Sequence, residues 1–334
     1  MISLATRMIA ERFHEVMPRG AMVHLDDHGF VRIDAAVATA FIEQELEYVK
    51  MRTYDIRRVA LKIRTLLPVS FEAHPGAEVI AYDSYDAYGE AKIVESYSDD
   101  FPRVDADKDR HRDVVFGLGI SYGFSVQDLR AIAMSGSRLD TQRPMQARRG
   151  METKLERIGA LGVPAKGTTG FINNADIPLF GSTLSWTMAT PALTIMADLQ
   201  RITQAVVIQS ADTWEPDTLA MSHDAYAVAS SVTFGSDSPI SALAAFLRQS
   251  PYIKQVEQWA KLTGAGAGAG EDRLVVYKRD EDVAVLEIPQ DYEEFPPEIK
   301  GLEFITYGHM RAAGVSVKFP LACQYADGTF DPAS

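Results

Sequence analysis

Gly119-Ile120-Ser121-Tyr122-Gly123 matches the Gly-x-Ser-x-Gly pattern in which a sharp strand-to-helix turn exposes a nucleophilic serine. Such a serine needs an acid and a histidine supplied later in the chain, and donors for an oxyanion. Here the two-residue alternation of apolar side chains runs straight through Ile120 and Tyr122, which describes a continuing strand rather than a turn. No His-Gly-Gly-Gly loop precedes it, and the upstream chain lacks repeated strand–helix units. A serine hydrolase using Ser121 is therefore only a distant alternative. His24 and His28 stand four residues apart, a spacing that on a helix would turn both imidazoles to one metal-facing side. Asp26-Asp27-His28-Gly29 is turn sequence, however, and a solvated loop is the simpler reading. His74, His111, His223 and His309 are scattered without partners, and the lone Cys323 excludes an intrachain disulfide and Cys-based zinc sites. These residues predict no catalytic site, no metal and no cofactor.

Charge is distributed more tellingly. Asp99, Asp100, Asp105, Asp107 and Asp109 make an acidic connection between extended segments. Arg148, Arg149, Lys154 and Arg157 lie mainly away from an apolar stripe of Ala147, Met151, Leu155, Ile158 and Leu161, the pattern of a long amphipathic helix with a basic outer face. That face has three readings. It is a solvated surface, a nucleic-acid track, or a partner for the acidic tip of a neighbouring copy. Aromatic residues for base stacking are missing from it, which weakens the second. The net charge of -13 also argues against a chain that grips DNA, while leaving enclosure of DNA open.

The elements that must position these groups follow from periodicity. Residues 1–60 read as an arm with helical character over 35–48. Segments 77–82 and 88–95 read as strands around a turn-rich Asp83-Ser84-Tyr85-Asp86, with Gly89 and Ala91 where backbones approach. Val114, Phe116, Leu118, Ile120 and Tyr122 alternate as one strand, so 66–124 is a long antiparallel excursion. Ser125 and Asp128 form a capping-box start. Ser135-Gly136-Ser137 interrupts that helix, Asp140 or Thr141 caps the next, and Pro144 falls in its first turn. Thr190-Pro191, Ser238-Pro239 and Ser250-Pro251 repeat a cap-then-proline helix start. The third of these predicts a helix carrying Ile253, Val256 and Trp259, and 217–221 a short strand. The Gly-Ala alternation at 264–270 predicts a flexible loop. Val315, Val317, Phe319, Leu321, Cys323 and Tyr325 alternate as one closing strand with Pro320 at an edge. With 334 residues, no membrane-length apolar run and no signal-peptide core, Met1-Ile2-Ser3-Leu4 is expected to be a cytoplasmic start.

This order of elements resembles the tailed-phage major capsid proteins of the Hong Kong 97-type fold, over nearly the whole chain. Leu66-Leu67-Pro68-Val69 and Gly89-Glu90-Ala91-Lys92 are similar to the start of that family's extended loop, and Gly119 through Asp128-Leu129 to its return. Gly170-Phe171-Ile172-Asn173-Asn174 resembles the turn after its spine helix, and Pro216-Asp217-Thr218-Leu219 the lead into its axial domain. Val276-Tyr277-Lys278-Arg279-Asp280, Phe319-Pro320 and Tyr325-Ala326-Asp327-Gly328 resemble its closing strands. The resemblance implies an α+β fold divided into an N-terminal arm (1–60), an extended β loop (61–125), a peripheral domain with the spine helix (126–185), an α/β axial domain (186–271) and strands returning to the peripheral domain (272–334). It also implies a non-enzymatic subunit that self-assembles through hexamers and pentamers into an icosahedral head enclosing double-stranded DNA. Its partners would be a separate scaffolding protein, a portal protein and a decoration protein, with assembly in the host cytoplasm and no membrane. An encapsulin-like compartment shell is the alternative, since that class shares the fold.

Overall fold

The computed structural model describes residues 60–88, 105–135, 142–235 and 238–333, with two short paired strands, β1 (His24–Leu25) and β2 (Val31–Arg32), in a separate unit spanning 1–59. The expected helix at 35–48, Gly89, Ala91, Asp99, Asp100, the Gly136 joint and the caps at Asp140 and Thr141 lie outside the described residues. His24 stands in a strand rather than on a helix, so the helical spacing that would bring it beside His28 does not apply.

From Ala60 onward the chain builds two apolar cores on either side of one sheet. After α1 (Ile63–Leu66), β3 (Val69–Ser70), β4 (Val79–Tyr88), β5 (Asp105–Val114) and β6 (Phe116–Ser125) come two helices, α2 (Val126–Ser135) and the long α3 (Gln142–Leu161). Next are β7 (Leu184–Thr187), α4 (Ala192–Gln209), β8 (Thr218–Met221), α5 (His223–Ser231), β9 (Thr233–Gly235), β10 (Ser238–Ser241), α6 (Ala242–Gln249) and β11 (Gln255–Gln258). The chain closes with β12 (Asp272–Tyr277), β13 (Ala284–Glu287), β14 (Gln290–Glu294), β15 (Glu298–Lys300), β16 (Glu303–Ala312), β17 (Gly314–Val317) and β18 (Cys323–Asp331).

The five-stranded sheet runs β11-β8-β12-β18-β7. Leu274 and Val276 of β12 join a core formed with α4, α5 and α6, while Val275 and Tyr277 join the core that holds α3 and β13. Every residue of β12 is buried, which explains a run with no polar alternation in its apolar part. The sheet crosses the boundary expected at 271/272, since β12 and β18 join β8 in one sheet and contribute to both cores.

Local chemistry explains the ends of α3. Ala147, Met151, Leu155 and Ile158 are buried as the stripe requires, but Leu161 is exposed because the helix is already ending there. Gly162, at φ 69°, donates to the Ile158 carbonyl in the left-handed conformation that favours glycine. The amides of Phe171 and Ile172 then return to the Gly159 and Ala160 carbonyls. Asn173 completes the set, accepting from the Gly170 amide at 2.7 Å and donating to the Leu161 carbonyl at 3.1 Å. The last carbonyls of the helix are thus satisfied by the Gly-Phe-Ile-Asn motif itself. A Cβ on Gly170 would collide with the Ala160 carbonyl. At α2 the expected capping box forms, with Ser125 Oγ accepting from the Asp128 amide and Asp128 accepting from the Ser125 amide.

Several expectations are overturned, each by a stronger tertiary interaction. Asp83-Ser84-Tyr85-Asp86 is not a turn but the middle of β4, paired with β5 over ten residues. Asp105, Asp107 and Asp109 likewise stand in a strand rather than a loop connection. Val114 ends β5 and is exposed, and buried Val115 breaks its alternation from Phe116 onward. Ser238-Pro239 lies in β10, and Ser241 is the residue that caps α6, accepting from the Ala244 amide at 3.3 Å. Ser250-Pro251 opens no helix: the chain turns and enters β11, parallel to β8, where main-chain pairing replaces a helical one. Thr190 precedes a helix as expected, yet its hydroxyl accepts from the Thr187 amide behind it. The closing strand is broken, since Pro320–Ala322 forms a 3-10 turn that leaves Phe319 and Leu321 exposed and carries the chain from β17 to β18 in another sheet.

The Gly-Ala segment is tied down rather than loose. Gly264, Ala267 and Gly268 donate their amides to the carboxyl oxygens of Asp272, Asp327 and Glu271 at 2.8–2.9 Å. Asp327 also holds Arg273 through two bonds of 2.7 Å, and Arg273 donates a further one to the Ile172 carbonyl at 2.6 Å. One buried ion pair therefore joins β12, β18, the Gly-Ala segment and the turn after α3.

Glu156 is buried on α3, where the periodicity shows only an amphipathic helix. One of its oxygens accepts from the amides of Lys62 and Ile63 at 3.0 and 2.8 Å, and the other from the Trp259 indole at 2.6 Å. Glu156→Ala should strand these three donors and lower stability by about 3–5 kcal/mol, and Glu156→Gln by about 1–2 kcal/mol, read from urea unfolding.

Candidate assembly surface

The groups expected to meet other copies sit on two elements of different character. Helix α3 is rigidly embedded, with its basic residues outward: Arg148, Lys154 and Arg157 are exposed and Arg149 is half-buried. The β4–β5 hairpin is a two-stranded sheet with no third strand among the described residues. Its ladder runs from Val79 opposite Val114 to Tyr88 opposite Asp105.

Part of the charge on each element is already answered within the chain. On the hairpin, Asp83 contacts Lys108 at 2.6 Å and Arg110 at 2.7 Å. The Arg110 and Lys108 hydrogen bonds hold its carboxyl well below the usual range. Beside the long helix, Arg64 bridges Glu152 at 3.0 Å and Asp291 of β14 at 2.7 Å. Burial alone would raise the Asp291 carboxyl. The Arg64 hydrogen bond, the Tyr292 amide and the positive field of Arg64 and Arg148 outweigh it and hold the group low. Arg148 therefore already faces an acid of its own chain. Asp109 is exposed on β5, where its carbonyl lies 3.5 Å from the Ser84 hydroxyl.

Ser121 is placed plainly. It is an exposed residue in the middle of β6, opposite Tyr307 in an antiparallel ladder with β16 that runs unbroken from Phe116 to Ser125. It borders an open groove of about 480 Å³ with Phe295, Tyr307 and His309. No hydrogen bond among the described residues joins it to a histidine, and the strand makes no sharp turn to project it. Among the described residues no group of three or more His, Cys, Asp or Glu side chains gathers to hold a metal ion. No described helix is long and apolar enough to cross a membrane.

Apolar side chains without cover mark the rest of the surface. Ile299 and Leu302, at the β15–β16 turn, are 72% and 76% exposed, far beyond what a solvated tip requires. Ile208 at the end of α4 is 76% exposed. Leu321 sits next to it, its carbonyl accepting from the Gln209 side chain at 2.8 Å. Sequence alone does not mark Ile299 as uncovered, since the three residues of its strand are all exposed only in the fold.

A long helix packed against a sheet shared by two cores, with an unaccompanied polar hairpin, defines the Hong Kong 97-type capsid fold. The solved structures agree. The capsid of Myoviridae phage XM1 superposes with a TM-score of 0.73 at 16% identity, covering 85% of this chain and 97% of that one. Mycobacterium phage Ogopogo gives 0.58 at 12% identity, covering 86% and 98%. A virus-like particle from Pyrococcus furiosus gives 0.52 at 12% identity, covering 78% and 90%. A search of curated proteins finds no match. A family model described as major capsid protein matches residues 89–329. The chain belongs to the major capsid protein family. It is a structural protein of the phage head, and its place is the virion shell.

Purified protein should hydrolyse a p-nitrophenyl ester no faster than its Ser121→Ala variant; a Ser121-dependent burst would reinstate the nucleophile.

Proposed function

We propose that this subunit self-assembles through hexamers and pentamers into an icosahedral head that encloses the double-stranded DNA of a tailed phage. Assembly takes place in the host cytoplasm on a separately encoded scaffolding protein. A portal protein occupies one vertex, and a decoration protein can join the finished shell. The subunit itself is not an enzyme and uses no cofactor. DNA is contained without sequence-specific grip, in keeping with a net charge of -13.

The observation that carries this reading is the β4–β5 hairpin, ten paired residues long and with no third strand among the described residues. An isolated two-stranded hairpin is marginal in water, so its natural support is a neighbouring copy. Many such modest contacts suffice once a shell closes, because each becomes effectively intramolecular. The five family divisions proposed from the sequence apply with one change, that 272–277 and 323–331 complete the axial sheet. An encapsulin-like compartment is less favoured, because the family model that matches is that of major capsid proteins.

Full-length protein co-expressed with its scaffold should give closed megadalton shells by light scattering and negative-stain microscopy. A species that stays monomeric over wide ranges of salt and concentration, with scaffold present, would count against the proposal. We further propose that Asp99, Asp100, Asp105, Asp107 and Asp109 of one copy meet Arg148, Arg149, Lys154 and Arg157 of another. Exposed pairs contribute only about 0.2–1 kcal/mol each, so they set register rather than adhesion. Reversing Arg148 and Arg149 to Glu should slow assembly most at low salt; unchanged assembly there would remove the pairing.

A further inference from the structure

Strand β6 carries a main-chain edge that the contacts described so far leave unused. In its antiparallel ladder with β16, alternate residues turn both main-chain groups toward the partner, and those between turn them away. Two contacts identify the outward set. The Gly123 carbonyl accepts from the Arg143 guanidinium, and the Ser125 amide donates to the Asp128 carboxyl. Val126 marks the inward set, since its amide donates to the Leu302 carbonyl at 2.9 Å. Gly117, Gly119 and Ser121 therefore direct their amides and carbonyls outward, and all three are exposed. Among the described residues β6 pairs with β16 alone. Its other face is closed, with Ile120 packed close against Gly150 of α3. Exposed edges avoid other chains through charge, proline or a bulge. The sequence of β6 has neither charge nor proline, and its ladder runs ten residues without a bulge.

We propose that this edge is a strand-addition site whose occupant is β4 from the hairpin of a second copy. The inference rests on the shell reading above. The chain's own hairpin is excluded, because Val115 alone separates β5 from β6 and a return alongside needs a longer turn. Three observations select β4 of another copy. It matches β6 in length at ten residues, so one register can pair the two throughout. It has an outward edge of its own: Val115 donates to the Glu78 carbonyl, which turns Ile80 and Tyr82 toward β5 and leaves Val79, Ala81 and Asp83 directed away. It is also rich in valine, isoleucine and tyrosine with two aspartates, whereas charged residues dominate β5 and guard the other edge. Main-chain bonds then supply the attachment, as in other cases where an extended segment joins an exposed sheet.

Residue-resolved hydrogen exchange on free subunits and on assembled shells tests this. In free subunits the amides of Leu118, Ile120 and Tyr122 should be protected, and those of Gly117, Gly119 and Ser121 should exchange freely. In shells the second set should slow by at least about tenfold, together with Ala81 and Asp83, while Arg112 of β5 should not. Protection of β6 without β4 would give the edge to another partner, and protection of neither would show no strand addition; both overturn the proposal. Gly119→Pro removes one outward donor at a position where an added Cβ meets nothing within 4 Å, so shells should be lost. Gly119→Ala keeps the donor and should assemble like the unaltered chain. Normal shells from Gly119→Pro would overturn the proposal. Should that variant lose protection of 272–277 through misfolding, the exchange pattern of the unaltered chain decides. Absence of shells from the unaltered chain with its scaffold would instead strike the shell reading itself.

Discussion

The fold depends on a sheet that must be apolar on both faces. Strands β8, β12 and β18 serve two cores at once, so successive residues of β12 alternate between the three helices on one side and α3 on the other. Neither core can shift without moving the other, because interiors packed to crystal density transmit displacement. This constraint explains why the chain from Ala60 onward behaves as one unit, although its sequence divides into segments with distinct periodicities.

Such a sheet leaves little room for polar groups, and those it contains are fully answered. Arg273 lies over the Tyr325 ring at 4.4 Å while its guanidinium donates two hydrogen bonds to Asp327 and one to the Ile172 carbonyl. Removing either partner would strand a buried charge, which is destabilising well beyond the worth of the pair. Glu156 plays the corresponding part on the other side of the core, fixing the first turn of α1 and the Trp259 indole to the long helix. Between them, these two side chains tie the lead into the hairpin, the spine helix, its terminal turn and the last strands to one framework.

Much of this was readable from the residues, and the failures share a cause. The stripe on α3, the capping box at Ser125 and the turn at Gly170 were legible because each is decided within a few residues. Asp83-Ser84-Tyr85-Asp86 misled because its turn composition is overruled by ten cross-strand partners and by Lys108 and Arg110 opposite. Ser250-Pro251 misled because a helical spacing of Ile253, Val256 and Trp259 also fits a strand followed by a buried anchor. The Gly-Ala segment looked loose because its restraints come from Asp272 and Asp327, the latter some sixty residues away in sequence. Of the charged residues, the exposed ones could be named from sequence, but Glu156, Asp113 and Glu287 could not. Their burial is a property of packing that no local pattern records.

The hairpin obeys a different rule from the body it leaves. Its ten-residue ladder is held by main-chain pairing and by Asp83, which balances Lys108 and Arg110 across it. The two aspartates of β4 and the charges of both signs on β5 discourage indiscriminate pairing along its edges. The same property makes it a weak independent structure, whose orientation is decided where it is rooted. That root lies where the ladder, at Val79 opposite Val114, meets the two-core body. The shared sheet holds the body rigid, while the hairpin meets it only at one end of its ladder.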